Sequence, residues 1–249
     1  MSDHETNPKV LSLLKSHPGY ATVKAWPEKG LYQFVARLCY KPHIFTPDPS
    51  EFGRVFSKAT GQHEPGYTCA FSIPPQIDVS PLMAGFAAAL REKGILQQGQ
   101  KLPSGLCAVR LASDIENADG KKPFPTSLTG EWRQGKTKSL NKPVVWANVG
   151  GVKKPLSEGQ VRGGYWVLLS VSLGAFDAKD KDGRSLNKGT QLYLNDICLL
   201  FPDDIVEGGG GVQDPSASYG SLDDLPPSDV SLLDAEEEGG ENWTDNISF

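Results

Sequence analysis

Between Tyr165 and Leu173 the chain alternates with a period of two: Tyr165, Val167, Leu169, Val171 and Leu173 make one continuous apolar face, and Trp166, Leu168, Ser170 and Ser172 make a mixed one. Only a β-strand puts alternate residues on opposite faces, and an apolar face of that length must be buried against a sheet or a closed barrel. The rest of the chain therefore has to supply partner strands. Leu31 to Tyr40 has apolar residues on both faces, Tyr67 to Ile73 is a short run closed by Pro74-Pro75, residues 143–149 centre on Val144-Val145-Trp146, and Asp182-Gly183 gives turn chemistry before a last strand over 190–201. With 27 Gly and 19 Pro in 249 residues, the class is mainly β. The mixed face of the 165–176 run is where a ligand is expected to sit. Two helices are predicted, a short one begun by Asn7-Pro8 and one begun by Ser80-Pro81 and ended by Gly94. Residues 97–142, polar and interrupted by Pro103, Pro123 and Pro125, read as long loops with short strands.

The charge is segregated. The chain has 25 Lys and Arg against 30 Asp and Glu, but 13 of the acids and none of the bases lie in residues 203–249, so residues 1–202 carry +8 and the tail −13. A net charge of −5 argues against a polyanionic partner; a basic body with a detached acidic tail argues for one, with the tail competing for the same surface. Gly208 to Gly211 open a segment of Gly, Ser, Pro and acid with too few apolar residues to order itself, so residues 203–249 are expected to be a disordered tail on a single domain, residues 1–202. Solubility alone does not ask for Trp243 or for a terminal Phe249. With Asp245 they suit a small basic-rimmed pocket on a partner.

Cys39, Cys69, Cys107 and Cys198 have neither disulfide nor zinc spacing and read as buried thiols in a reducing compartment. The amino terminus is polar and no run is long enough for a membrane span, so a soluble, cytoplasmic protein is expected. His4, His17, His43 and His63 show no metal spacing and read as surface or loop residues. No catalytic constellation, cofactor motif or metal site stands out, and the protein is expected not to be an enzyme.

One motif argues otherwise. Gly130 to Thr137 fits the phosphate-loop pattern Gly-x4-Gly-Lys-Thr, which would make the chain an NTPase. That loop needs a buried strand before it and a helix after it, whereas Pro123-Phe124-Pro125 precedes and Asn141-Lys142-Pro143 soon follows. The same stretch also reads as a nucleic-acid contact, with Trp132 beside Arg133, Lys136, Lys138 and Lys142. Aromatic and basic residues interleave again around Phe34, Arg37 and Tyr40, and around Arg162, Tyr165 and Trp166. Aromatics on strands more often fill a core than form a platform, but three such clusters on a basic body point to single strands held by stacking and phosphate contacts. The candidate stacking residues are Trp132, Trp166, Tyr40, Tyr193, Trp146 and Phe34. The candidate phosphate contacts are Arg37, Arg133, Lys136, Lys138, Lys153, Lys154 and Arg162. A β-barrel assembly factor whose charge split serves another protein is the remaining alternative.

Arg37-Leu38-Cys39-Tyr40 through Phe45-Thr46-Pro47, Tyr67 to Pro74, the 81–93 helix, Gly164-Tyr165-Trp166-Val167, Asn187-Lys188-Gly189, Leu192 to Leu194 and the glycines at 208–211 are similar in order and spacing to phage-encoded OB-fold single-stranded-DNA-binding proteins. The resemblance spans roughly residues 30–211 and is thinnest over 97–142. It implies a five-stranded Greek-key barrel with loop elaborations, sequence-independent binding of single-stranded DNA, and a role in phage replication, recombination or repair in the host cytoplasm. It further implies phage or host polymerase, helicase or nuclease partners met through the Phe-terminated tail, and room for a homo-oligomer.

Overall fold

The computed structural model describes residues 6–115 and 131–203. The phosphate-loop glycine Gly130 and the whole of the tail from residue 204, with Trp243, Asp245 and Phe249, lie outside the described residues.

Five strands close into a barrel: β2 (Leu31–His43), β5 (Tyr67–Ile73), β7 (Arg133–Ser139), β10 (Trp166–Lys179) and β11 (Ser185–Phe201), where the remaining numbers belong to shorter strands introduced below. Around the ring the order is β2, β5, β7, β11, β10 and back to β2. Every neighbouring pair is antiparallel except β7 and β11, which run parallel where Leu192 lies opposite Thr137. Numbered along the chain, these five strands are joined first to second, second to third, third to fifth, fifth to fourth and fourth to first, which is the Greek-key closure of an OB-fold.

Alternation fills the barrel. Phe34, Leu38, Phe71, Val167, Leu169, Val171, Leu194 and Ile197 point inward and are buried, with the Phe34 and Phe71 ring centroids 5.4 Å apart. Strand β7 contributes no large inward side chain. Its inward positions are Gly135 and Thr137, and a Cβ on Gly135 would stand 2.7 Å from the Phe71 ring and 2.9 Å from the Ala108 carbonyl oxygen. The glycine is what lets Phe71 occupy the barrel centre.

Helix α1 (Pro8–Ser16) is capped by Asn7, whose Oδ1 accepts from the Lys9 amide at 2.8 Å. Helix α2 (Ser80–Glu92) packs Leu82, Phe86 and Leu90 against the barrel and ends at Gly94, which has φ +68°. Ser80 is the first helical residue rather than the cap: Asp78 Oδ1 accepts from both its amide and its hydroxyl. The short strands decorate the ring. Strand β1 (Lys24–Trp26) pairs with β2, β6 (Val109–Leu111) with β7, and β8 (Val144–Val149) runs parallel to β11 and carries β9 (Val152–Pro155) outside it. Between β2 and β5, β3 (Arg54–Phe56) and β4 (His63–Pro65) form a separate hairpin. All four cysteines are buried free thiols; burial pushes the Cys39 thiol up to about 12, only partly offset by its contact with the Ser72 hydroxyl. No helix among the described residues is long and apolar enough to cross a membrane.

Candidate nucleic-acid interface

The outward face of the β5–β7 pair divides into two halves. At one end Trp132 and Trp166 bring their rings to 6.1 Å, and Phe201 joins Trp166 at 6.2 Å. These rings form a second apolar layer outside the barrel. Trp166 Nε1 donates to Asp203 Oδ2 at 2.8 Å, Asn7 Nδ2 donates to the same oxygen at 2.8 Å, and Arg37 stands 3.7 Å from it while its Nε donates to the Gly164 carbonyl. Asp203 is thus tied to the body by a buried indole, a helix cap and a guanidinium.

This half corrects the expected stacking residues. Trp166, Phe34, Trp146 and Trp132 are 0%, 1%, 2% and 5% exposed, so none offers a ring face to a base. Phe34 is barrel core. Trp146 donates its indole N–H to buried Asp196, and Lys153 lies 4.2 Å over its ring while pairing with Asp196 at 3.1 Å. The mixed face of β10, expected to carry a ligand, is covered at Trp166, Leu168 and Ser170. Phe34 apart, the physical reason is shared: strands added outside the ring and the 132–166 indole pair bury a second face that a bare barrel would leave open.

At the other end the face is polar. Lys136 and Lys138 alternate with inward Gly135, Thr137 and Ser139, and register sets them beside Ala70 and Thr68 of β5. Both ammonium groups are half-buried. Burial lowers the Lys136 pKa against the opposing pull of Asp48; burial and then the neighbouring Lys136 lower that of Lys138. Asp48 is the buried counter-charge. Its carboxylate accepts from the Ser50 amide at 3.0 Å, the Ser50 hydroxyl at 2.6 Å and the Thr68 hydroxyl at 2.8 Å. Burial pushes this carboxyl up, but those three donors and nearby His43 outweigh it and hold it below the usual range. A Cβ on Gly53 would fall 2.3 Å from the Asp48 side chain, so the 48–53 turn closes on it only with glycine there. Asp48 thereby fastens the β2–β5 connection over the sheet, and Lys138 Nζ reaches the Arg54 carbonyl of β3 at 3.4 Å.

Two of the expected stacking tyrosines border this end. Tyr40 sits where the β2–β5 register shifts and has φ +66°, the one left-handed non-glycine residue described; such strain persists only where its surroundings impose it. Burial, then Cys39, raises its phenol to about 12. Tyr193 is 38% exposed, and the parallel register of Leu192 with Thr137 brings it level with Lys138 on the adjoining strand. Its ring lies across Gly174, where a Cβ would approach to 3.1 Å.

The expected cations are not all gathered here. Arg133 lines a cleft of about 380 Å³ beside α2 that also holds Asp78 and Glu131. Arg37 belongs to the indole end, Lys153 and Lys154 lie on β9, and exposed Arg162 donates from Nε to the Gly159 carbonyl. What the residue reading missed is the β3–β4 hairpin, Asp48 and Thr68. An exposed Phe56 on a three-residue strand carries no periodic signal, and an aspartate in a loop reads as solvated.

Gly135, Lys136 and Thr137 are mid-strand, and Thr137 Oγ1 points into the barrel without a hydrogen-bond partner. The phosphate-loop alternative is corrected on that ground: a cradle of backbone N–H groups needs a loop leading into a helix, and these amides lie in a ladder with β5 and β6.

No protein-family model and no curated protein matches the chain. Among solved structures it is similar to the single-stranded DNA-binding protein of bacteriophage Enc34 in a C-terminally truncated form (14% identity, 71% of this chain and 88% of that one, TM-score 0.46) and in complex with single-stranded DNA (15%, 71% and 89%, 0.46). It is also similar to gp2.5, a single-stranded DNA-binding protein encoded by bacteriophage T7 (13% identity, 76% of this chain and 94% of that one, TM-score 0.38).

Proposed function

We propose that this protein binds single-stranded DNA without sequence preference on the outward face of β5 and β7, as a non-enzymatic protector of exposed strands. The observation that carries the reading is the pair of half-buried lysines, Lys136 and Lys138, on the second and third strands of an OB barrel, flanked by Tyr40 and Tyr193. Strands two and three and the connection between strands one and two are the surfaces on which this barrel holds oligonucleotides. Lysines already stripped of part of their water give up less hydration when a phosphate arrives, and each phosphate neutralised releases counterions. Bases stack on tyrosine rings whatever their identity, because every base has a π-face.

The tail acts on the same face. Asp203, its first residue, is held beside Arg37 and Trp166 at the indole end, and twelve acids follow it. Deleting residues 204–249 is expected to strengthen binding at low salt, where competition by a polyanion is strongest. Trp243, Asp245 and Phe249 are the segment that a polymerase, helicase or nuclease of phage or host would take, and Phe249→Ala is expected to lose that capture while leaving the competition. The test of the core reading is binding of the full chain to oligo-dT and to duplex DNA of equal length across a salt series. A preference for oligo-dT that weakens steeply with salt supports it; equal binding to both, or affinity independent of salt, overturns it.

A further inference from the structure

The β3–β4 hairpin carries an aromatic ring that the fold does not use. Phe56 is 54% exposed, although the barrel core beside it is closed. Its ring is held by an edge-on contact with His63, its register partner, at 5.5 Å and 66°. Val55 and Glu64 occupy the other face of the hairpin by alternation, and a Cβ on Gly66 would strike the Val55 side chain at 2.3 Å, so that face is the one pressed to the barrel. The hairpin is not loose. Asp48 anchors its root through Thr68, the Gly66 amide donates to the Gly53 carbonyl at 3.1 Å, and Lys138 Nζ donates to the Arg54 carbonyl two residues before Phe56.

A fixed, outward aromatic ring two residues along from the backbone carbonyl that an ammonium group touches suits a nucleotide: the cation takes the phosphate and the ring takes the base. The hairpin's own charges cancel, Arg54 and Lys58 against Glu51 and Glu64, so the cation added to it is Lys138. Lys58 follows on the hairpin, and Arg54 is paired with Glu51 at 3.1 Å. Resting on the reading of the β5–β7 face above, we propose that Phe56, braced by His63, is a base-stacking platform for the strand whose phosphates pass over Lys138. The ring is exposed because its partner is a nucleobase. Strand β3 thus extends the interface beyond the barrel by at least one nucleotide.

The experiment compares wild-type, Phe56→Ala and Phe56→Trp full-length protein on oligo-dT and on an abasic deoxyribose-phosphate oligomer of the same length, at one moderate salt concentration. Phe56 is exposed, so its removal leaves the fold intact, which thermal unfolding verifies. Phe56→Ala is expected to weaken oligo-dT binding by roughly 5- to 150-fold, the worth of one base–aromatic stack, and to leave abasic binding unchanged. Phe56→Trp is expected to restore oligo-dT binding, with the added indole emission quenched on binding. Equal losses on both oligomers, or no loss on either, overturn the platform while leaving the lysine face standing. Failure of the wild type to bind either oligomer overturns both readings.

Discussion

The two ends of the outward face around β5 and β7 meet opposite fates. The Trp132–Trp166 end is sealed: two indoles and Phe201 exclude water, and the one indole N–H that needs a partner finds it in Asp203. The Lys136–Lys138 end is kept half-open by Asp48, which holds a connection over the sheet without covering the ammonium groups. Buried aromatic rings therefore do not mark the end proposed to bind DNA. What marks it is incomplete burial of groups that water would otherwise claim, and the comparison can be broken at either end.

The largest stability effect is expected at the sealed end. Trp166→Ala removes a fully buried indole and one of the donors to Asp203, and should cost about 3–5 kcal/mol in denaturant unfolding. If Trp166 were instead an exposed stacking residue, the cost would fall on DNA affinity and stability would hardly change.

Asp48→Asn comes next. Three hydrogen bonds to a carboxylate become bonds to a neutral amide, a loss of about 1.5–3 kcal/mol near neutral pH. The folded-state pKa of Asp48 lies below its ordinary 3.8, so its contribution is complete above 3.8 and is lost as the pH falls through the lower folded value. The stability gap between wild type and variant should therefore close on acidification within that window; a gap constant down to the acid limit would remove Asp48 as a charged anchor. Gly135→Ala should cost about 1–3 kcal/mol by forcing Phe71 or the Ala108 carbonyl to move, with no change in the salt dependence of DNA binding.

Much of this architecture was legible in the sequence, and the reasons it was not fully so are local. Strand β10 and strand β5 announce themselves by alternation and by Pro74-Pro75, and Asn7-Pro8 and Gly94 bound helices where cap chemistry says they should. Strand β7 did not. Arg133 to Ser139 has no apolar residue, because its inward positions are occupied by a glycine and a threonine that make room for Phe71, and so it resembled a basic loop or a phosphate loop. Lys136 and Lys138 stand out in the sequence for the charge of the stretch alone; that they share one strand face follows only from the ladder with β5. Trp132 and Trp166 read as interface residues in the sequence because no local pattern reveals that segments distant in sequence bring their rings together. Asp48 and Phe56 depend on contacts across 20 residues and on a turn, and neither leaves a periodic trace.

The central claim is that the polar end of the β5–β7 face holds the phosphates. It is tested most directly by the salt dependence of oligo-dT binding for Lys136→Ala/Lys138→Ala against Lys153→Ala/Lys154→Ala, two pairs of equal charge at different places on the fold. Removing Lys136 and Lys138 should lower the slope of log affinity against log salt by about 1.4, two single-strand phosphate contacts. The Lys153/Lys154 pair should leave the slope near that of the wild type. Equal slopes for both double variants, or a larger loss for the β9 pair, would contradict the assignment and move the interface away from β5 and β7.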